Sequence, residues 1–114
     1  AGQTEDVVVS QTTKGLAGVT AEQLPNVVIA YEPVWAIGTG ETSDGEDANA
    51  VIGAIRQAIA KLYTEELAQE VRIQYGGSVK PANIKEFMDQ SEIDGALVGG
   101  ASLNADDFVG IIEY

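Results

Sequence analysis

The sequence has no cysteine and no histidine among its 114 residues. Without cysteine the chain can form no disulfide, thiolate nucleophile or cysteine-based zinc site. Without histidine it has no imidazole to serve as a base, an electrophile or a metal ligand. Any acid–base chemistry must therefore use carboxylates, and we expect neither a metal nor a cofactor.

Basic residues are scarce as well, since 6 Lys and Arg stand against 18 Asp and Glu, a formal net charge of −12. This excess argues against nucleic acid or an anionic membrane as partner. No apolar run approaches the ~20 residues that span a bilayer. The acidic first residues also lack the basic and apolar regions of a signal peptide. A cytoplasmic location is the expectation.

What remains has the composition of a folded domain. With 45% hydrophobic residues, a chain of this length can bury roughly 65% of the surface that its unfolded form exposes. No shift in composition marks an internal boundary, so residues 1–114 are predicted to form a single unit.

The order of elements predicts an α/β fold. Apolar spacing and end signals predict helices starting at Thr4, before Ala48, at Pro81 and after Asn104. Capping boxes are predicted for Thr20 with Gln23 and for Ser43 with Glu46. Short β-branched or apolar runs predict strands over 27–31, 71–75 and 96–98, the first of them covered on both faces. Strands alternating with helices favour a parallel sheet with right-handed crossovers.

Glycine pairs follow two of the predicted strands, Gly76-Gly77 before Ser78 and Gly99-Gly100. Backbone amides without a Cβ nearby can approach an anion closely, so the two pairs together suggest a phosphate cradle. Either pair alone would more often simply turn the chain. A dinucleotide site is disfavoured, because the nearby glycines at 38 and 40 lie in a long loop and not in a tight strand-to-helix turn.

Glu32 directly follows the first predicted strand and precedes Pro33. A carboxylate there would be partly removed from water, which raises its pKa toward the range useful for a base. A glutamate ending a strand is, taken alone, more often a solvated rim residue or an ion-pair partner. Trp35 and Ile37, apolar residues in a loop of small ones, suggest either a segment that sometimes packs over another group or an ordinary core contact.

Three sequence blocks resemble the triosephosphate isomerase family, in its order and spacing: AYEPVWAIGTG at 30–40, QYGGSV at 74–79 and GALVGGASL at 95–103. The resemblance covers essentially the whole chain. It implies the C-terminal part of a (β/α)8 barrel, about its last three βα units, in which parallel strands alternate with helices.

The resemblance also implies residue roles. Glu32 would be the catalytic base that interconverts dihydroxyacetone phosphate and glyceraldehyde 3-phosphate through an enediol, a glycolytic and gluconeogenic reaction. The phosphate would be held by the amides of Gly38, Ser78, Gly99 and Gly100. A mobile lid and its latch would comprise Pro33, Val34, Trp35, Ala36, Ile37, Thr39, Gly40 and Tyr75.

The chain departs from the family in two ways. Glu41 stands where the family usually has lysine, next to the lid's trailing end. A full barrel has eight βα units, and the family's electrophilic histidine and its lysine would lie on strands that this chain does not supply. We therefore expect the isolated chain to be nearly inactive and to pair with the missing N-terminal part of the barrel or with itself. A non-catalytic phosphate-binding or scaffold fragment is the alternative.

Overall fold

The computed structural model describes residues 3–33 and 44–114. Three parallel strands form one sheet in the order β1-β2-β3, with β1 at Val28–Tyr31, β2 at Arg72–Tyr75 and β3 at Gly95–Ala96. In register, Tyr31 of β1 stands beside Tyr75 of β2, which stands beside Ala96 of β3. The predicted alternation of strands and helices, and the parallel sheet, are confirmed.

Five α-helices surround this sheet in the described part of the chain: α1 at Gln3–Gly15, α2 at Gly45–Leu62, α3 at Glu65–Glu70, α4 at Ile84–Met88 and α5 at Ala105–Ile112. Short 3-10 turns lie at Leu24–Asn26 and Gly100–Leu103. None of the helices in these ranges is long and apolar enough to cross a membrane.

Several helix ends form as the local sequence predicts. Thr20 and Gln23 make a reciprocal capping box, with hydrogen bonds of 3.0 and 3.3 Å between each backbone N–H and the other's side-chain oxygen. Asn104 caps α5 by accepting from the Asp107 N–H at 3.1 Å. Such caps depend on residues three apart, so the sequence alone is enough to find them.

Other boundaries differ from the prediction. The N-cap of α2 is Asp44, whose carboxylate accepts from the Asp47 N–H at 2.7 Å; Ser43, predicted for this place, lies outside the described residues. Pro81 does not open α4, because a turn intervenes and the helix begins at Ile84.

The strand predictions need two corrections. Pairing of β3 involves Gly95 and Ala96 alone, so it is shorter and earlier than the predicted 96–98. β1 is not covered on both faces within the described chain, because Val28 is 54% exposed and Ala30 is also exposed. The physical reason is that the described elements bury only one face of the sheet, since Val28 stands in register with Arg72 of the central strand, which is also exposed, whereas Tyr75 on the other face is buried.

The core lies between the sheet and the helices. Its largest fully buried side chains come from both layers: Leu24, Ile52, Ile59, Val71, Ile73, Tyr75, Ile84 and Phe87. The aromatic rings of Tyr75 and Phe87 stack with centroids 4.1 Å apart and planes at 11°. This stack fixes α4 against the middle of the sheet.

Arg56 is the one charged side chain buried in the described part of the chain, at 4% exposure. Burial of this charge is possible because each of the five N–H donors of the guanidinium has a hydrogen-bond partner. Nη1 donates to the carbonyls of Ala68 and Val71, whereas Nε and Nη2 reach Glu92 and Asp94.

Replacing Arg56 with methionine should lower the free energy of unfolding by about 2 to 4 kcal/mol, because it strands buried carbonyls and two carboxylates that were paired with the guanidinium. Urea denaturation followed by circular dichroism measures the change. Lys85→Met is the control, since its ion pair with Asp89 is exposed and such pairs contribute about 0.5 kcal/mol or less. Equal losses in the two variants would contradict this account of Arg56.

Candidate active site

The carboxyl ends of all three strands meet at one edge of the sheet. Gly76, the residue after β2, donates its N–H to the carbonyl of Tyr31 at 2.8 Å, and Leu97, after β3, donates to the carbonyl of Tyr75 at 2.9 Å. These bonds bring together the segments that begin at Glu32, Gly76 and Leu97. Ligands of parallel α/β folds bind at this edge.

Glu32 lies directly over Gly76. A Cβ atom built on Gly76 would be 2.6 Å from Cγ of Glu32 and 3.2 Å from its Oε1. Any residue larger than glycine at 76 would therefore displace the glutamate side chain. Glu32 itself is exposed. Within the described ranges no element encloses its side chain, so the expectation that it is partly removed from water is wrong there.

Two tyrosines form the floor beneath this edge. Tyr31 is 7% exposed and Tyr75 is fully buried. Burial is the main cause that raises the pKa of the Tyr31 phenol above 10.0, and the neighbouring Tyr75 and Asp47 raise it further. The Tyr75 hydroxyl lies where a Cβ of Gly77 would be, so glycine at 77 leaves room for that ring.

Ser78 begins the turn between β2 and α4. The side chain of Asn83 donates to the Ser78 carbonyl at 2.9 Å and accepts from the Lys80 N–H at 2.7 Å. Residue 83 was not singled out by sequence reasoning. Its spacing from Lys80 is the same three residues as in the Thr20–Gln23 capping box, and that spacing is the signal that could have found it.

Gly99 and Gly100 face open space. Nothing lies within 4 Å of a Cβ built on either glycine. Neither has a positive φ, so the described structure gives no internal reason for a glycine at these positions. Within the hydrogen bonds of residues 3–33 and 44–114, the N–H groups of Ser78, Gly99 and Gly100 are not used.

Of the other residues that the sequence analysis singled out, only Pro33 lies within the described ranges, and it is buried. The others lie outside those ranges: Val34, Trp35, Ala36, Ile37, Gly38, Thr39, Gly40 and Glu41. Across the described ranges, no group of three or more acidic side chains is arranged to hold a metal ion.

This combination defines a class: part of a parallel α/β barrel that presents one carboxylate and a set of backbone amides at the carboxyl ends of its strands. The triosephosphate isomerase family model matches residues 1–114. The chain belongs to the triosephosphate isomerase family.

Curated relatives agree. The chain is 64% identical over 113 residues to the triosephosphate isomerase of Thermoanaerobacter sp. (strain X514), 62% identical over 113 residues to that of Caldanaerobacter subterraneus, and 60% identical over 112 residues to that of Dictyoglomus turgidum. These matches cover 98 to 99% of this chain and 45 to 46% of each relative. The chain thus spans about half the length of the curated relatives it matches.

Replacing Gly76 with alanine should push the Glu32 side chain away from its place beside Gly76 at a cost in stability of about 0.5 kcal/mol or less, because that side chain is exposed and can rotate. NMR of the Glu32 side chain and urea denaturation measure the two effects. Gly53→Ala is the matched control, because its Cβ would lie an ordinary 3.6 Å from Glu92 and an alanine inside a helix adds about 0.5 to 1 kcal/mol. An unmoved Glu32 in Gly76→Ala would refute the packing argument.

Stability should fall as the pH rises above about 10 because of Tyr31. The raised pKa means that folded Tyr31 keeps its proton at pH values where the unfolded phenol, with its ordinary pKa of 10.0, has lost it. Tyr31→Phe removes this contribution, so it should lose less stability than the parent between about pH 9 and pH 11. Urea denaturation at both pH values tests this, with the exposed Tyr114→Phe expected to follow the parent.

Proposed function

We propose that this chain supplies the catalytic base and the phosphate grip of a triosephosphate isomerase, which interconverts dihydroxyacetone phosphate and glyceraldehyde 3-phosphate through an enediol or enediolate. The observation that supports the proposal is that β1, β2 and β3 end side by side, so that the segments beginning at Glu32, Gly76 and Leu97 leave one sheet edge, in a chain matched by the family over residues 1–114. The reaction belongs to glycolysis and gluconeogenesis, and so to the cytoplasm.

Glu32 is the group proposed to move the proton between the two substrate carbons. A carboxylate is the kind of side chain that can do this in a sequence without histidine or cysteine. Its position at the end of β1 is fixed by the sheet, because the preceding residue, Tyr31, is paired with Tyr75 of β2. The absence of a side chain on Gly76 leaves the carboxylate room beside the turn.

The phosphate is proposed to bind backbone amides. The N–H groups of Ser78, Gly99 and Gly100 have no acceptor among the hydrogen bonds of the described chain, and open space surrounds both glycines. Unused N–H groups beside open space attract an anion. Gly38 is proposed as a further donor, and residues 33–40 with Tyr75 as lid and latch, on the family resemblance alone.

The isolated chain is expected to turn over substrate very slowly. It has no histidine to polarise the substrate carbonyl, and the family's lysine that offsets the enediolate charge belongs to a strand outside this chain. Contacts of this kind contribute about 3 kcal/mol each, so lacking both should slow the reaction by roughly four orders of magnitude.

The two edges of the sheet are proposed to be covered by the rest of the barrel. A cavity of about 320 Å³ runs along the outer side of β1, between α1 and residues 27–32. An apolar groove of about 280 Å³ follows β3, lined by Met88, Val98, Phe108, Ile112 and others. The edge strands present backbone N–H and C=O groups that can pair with further strands. Since the chain spans about half of its relatives' length, the rest of the barrel is the proposed source of those strands.

A coupled assay of the purified chain, alone and mixed with the complementary part of a relative's barrel, tests the proposal. We expect turnover at least about 10⁴-fold below a full-length relative for the chain alone, and a large increase in the mixture. Glu32→Gln should abolish the increase but keep binding of 2-phosphoglycolate, a mimic of the reaction intermediate. Glu66→Gln, exposed on α3, should change neither.

The alternative, a non-catalytic phosphate-binding or scaffold fragment, would show binding of 2-phosphoglycolate without any activity that depends on Glu32. Light scattering of the same samples measures the mass of the complex, and so shows whether the chain is bound to the complementary part of the barrel or to further copies of itself. A complex containing one copy of each part supports the proposed covering, whereas self-association of the chain that the added part does not disrupt contradicts it.

A further inference from the structure

Asn83 has no part in the proposed chemistry, yet its side chain makes two hydrogen bonds within one turn. Nδ2 donates to the carbonyl of Ser78 at 2.9 Å, and Oδ1 accepts from the N–H of Lys80 at 2.7 Å. The side-chain amide therefore holds both sides of the short stretch 78–80. A planar group that donates and accepts at once is needed for this, and asparagine provides it.

The backbone of Ser78 is fixed on its carbonyl side by these contacts. The next residue, Val79, is buried at 6% exposure, which anchors the other side of the same peptide unit in the core. With the Ser78 carbonyl bound to Asn83, the Ser78–Val79 peptide plane has little freedom to rotate. The Ser78 N–H, which the described chain does not use, belongs to the preceding peptide plane, which is joined to the fixed one at the Cα of Ser78.

Asn83 is itself supported from the core. The N–H groups of Asn83 and Ile84 both donate to the Lys80 carbonyl, at 3.1 and 3.0 Å. α4 follows immediately, and its Phe87 stacks on Tyr75 of β2. The position of Asn83 is thus set by the same strand whose end carries the turn.

We propose that Asn83 is a positioning residue that presents the Ser78 N–H to the substrate phosphate. This inference rests on the proposed function, because it assumes that Ser78 binds phosphate. A donor that is already oriented loses less conformational freedom on binding, so loss of the Asn83 side chain should weaken phosphate binding without removing any group that touches the ligand.

The test is a titration of the ¹⁵N-labelled chain with 2-phosphoglycolate, followed by NMR. In the parent we expect the amide signals of Ser78, Gly99 and Gly100 to shift together. In Asn83→Ala the dissociation constant should rise about ten-fold, because the freed Ser78 backbone must then be ordered on binding. The Ser78 amide should also exchange with solvent faster in the free protein, a local effect that a general loss of stability would not confine to this residue.

Two further variants complete the design. Asn83→Asp keeps the acceptor for Lys80 but sets an anionic oxygen against the Ser78 carbonyl in place of the donor, so it should weaken binding at least as much as Asn83→Ala, and it decides the question if the alanine variant does not fold. Asn49→Ala is the matched control, since Asn49 also accepts a backbone hydrogen bond, from Glu92 at 2.8 Å, but bonds the segment before β3 and not the stretch 78–80.

The outcomes separate the two proposals. If the parent binds 2-phosphoglycolate and the Asn83 variants bind it equally well, the positioning role is overturned and the proposed function stands. If the parent shows no shift at Ser78, Gly99 and Gly100, both proposals are overturned. A weakening in Asn49→Ala equal to that in Asn83→Ala also overturns the positioning role.

Discussion

The guanidinium of Arg56 determines how the described elements fit together. It extends from α2 and binds the carbonyls that end α3 and precede β2, at Ala68 and Val71. It also binds Glu92 and Asp94, which precede β3. A buried cation has a large desolvation cost unless every donor is paired. The Arg56 side chain therefore requires four segments to come together: α2, α3 and the residues before β2 and before β3. An arrangement that lacked one of them would leave a buried donor without a partner.

Asp94 extends this constraint into the sheet. Its Oδ2 accepts both from Arg56 at 2.7 Å and from the N–H of Ile73 at 3.0 Å. The segments entering β2 and β3 are therefore aligned by charge at the amino ends of the strands. The carboxyl ends of the strands are joined by backbone hydrogen bonds and followed by glycines. There, residues 32, 76–78 and 99–100 can approach a ligand. Rigidity at one end of the sheet and accessible amides at the other are two results of a single arrangement.

The sequence is most informative where structure depends on near neighbours. The caps of Thr20 and Asn104 followed from short spacings, and the parallel sheet followed from the alternation of elements. The contact between Glu32 and Gly76 followed too, because carboxyl ends of parallel strands share an edge. Arg56 could not be found in this way, since its partners lie 12 to 38 positions along the chain. Exposure of β1 was missed because it depends on what covers that face of the sheet, which spacing does not encode.

Charge explains why this edge would hold a phosphate with peptide groups. The chain carries −12, so a phosphate dianion is repelled overall, but at physiological ionic strength that repulsion is screened beyond about 8 Å. Within that distance, oriented N–H dipoles are a favourable source of positive potential. They also have no competing proton equilibrium, so the affinity of the amides does not vary with pH as that of a histidine would. The positive charge needed by the enediolate can then come from another part of the barrel, separate from the group that binds the phosphate.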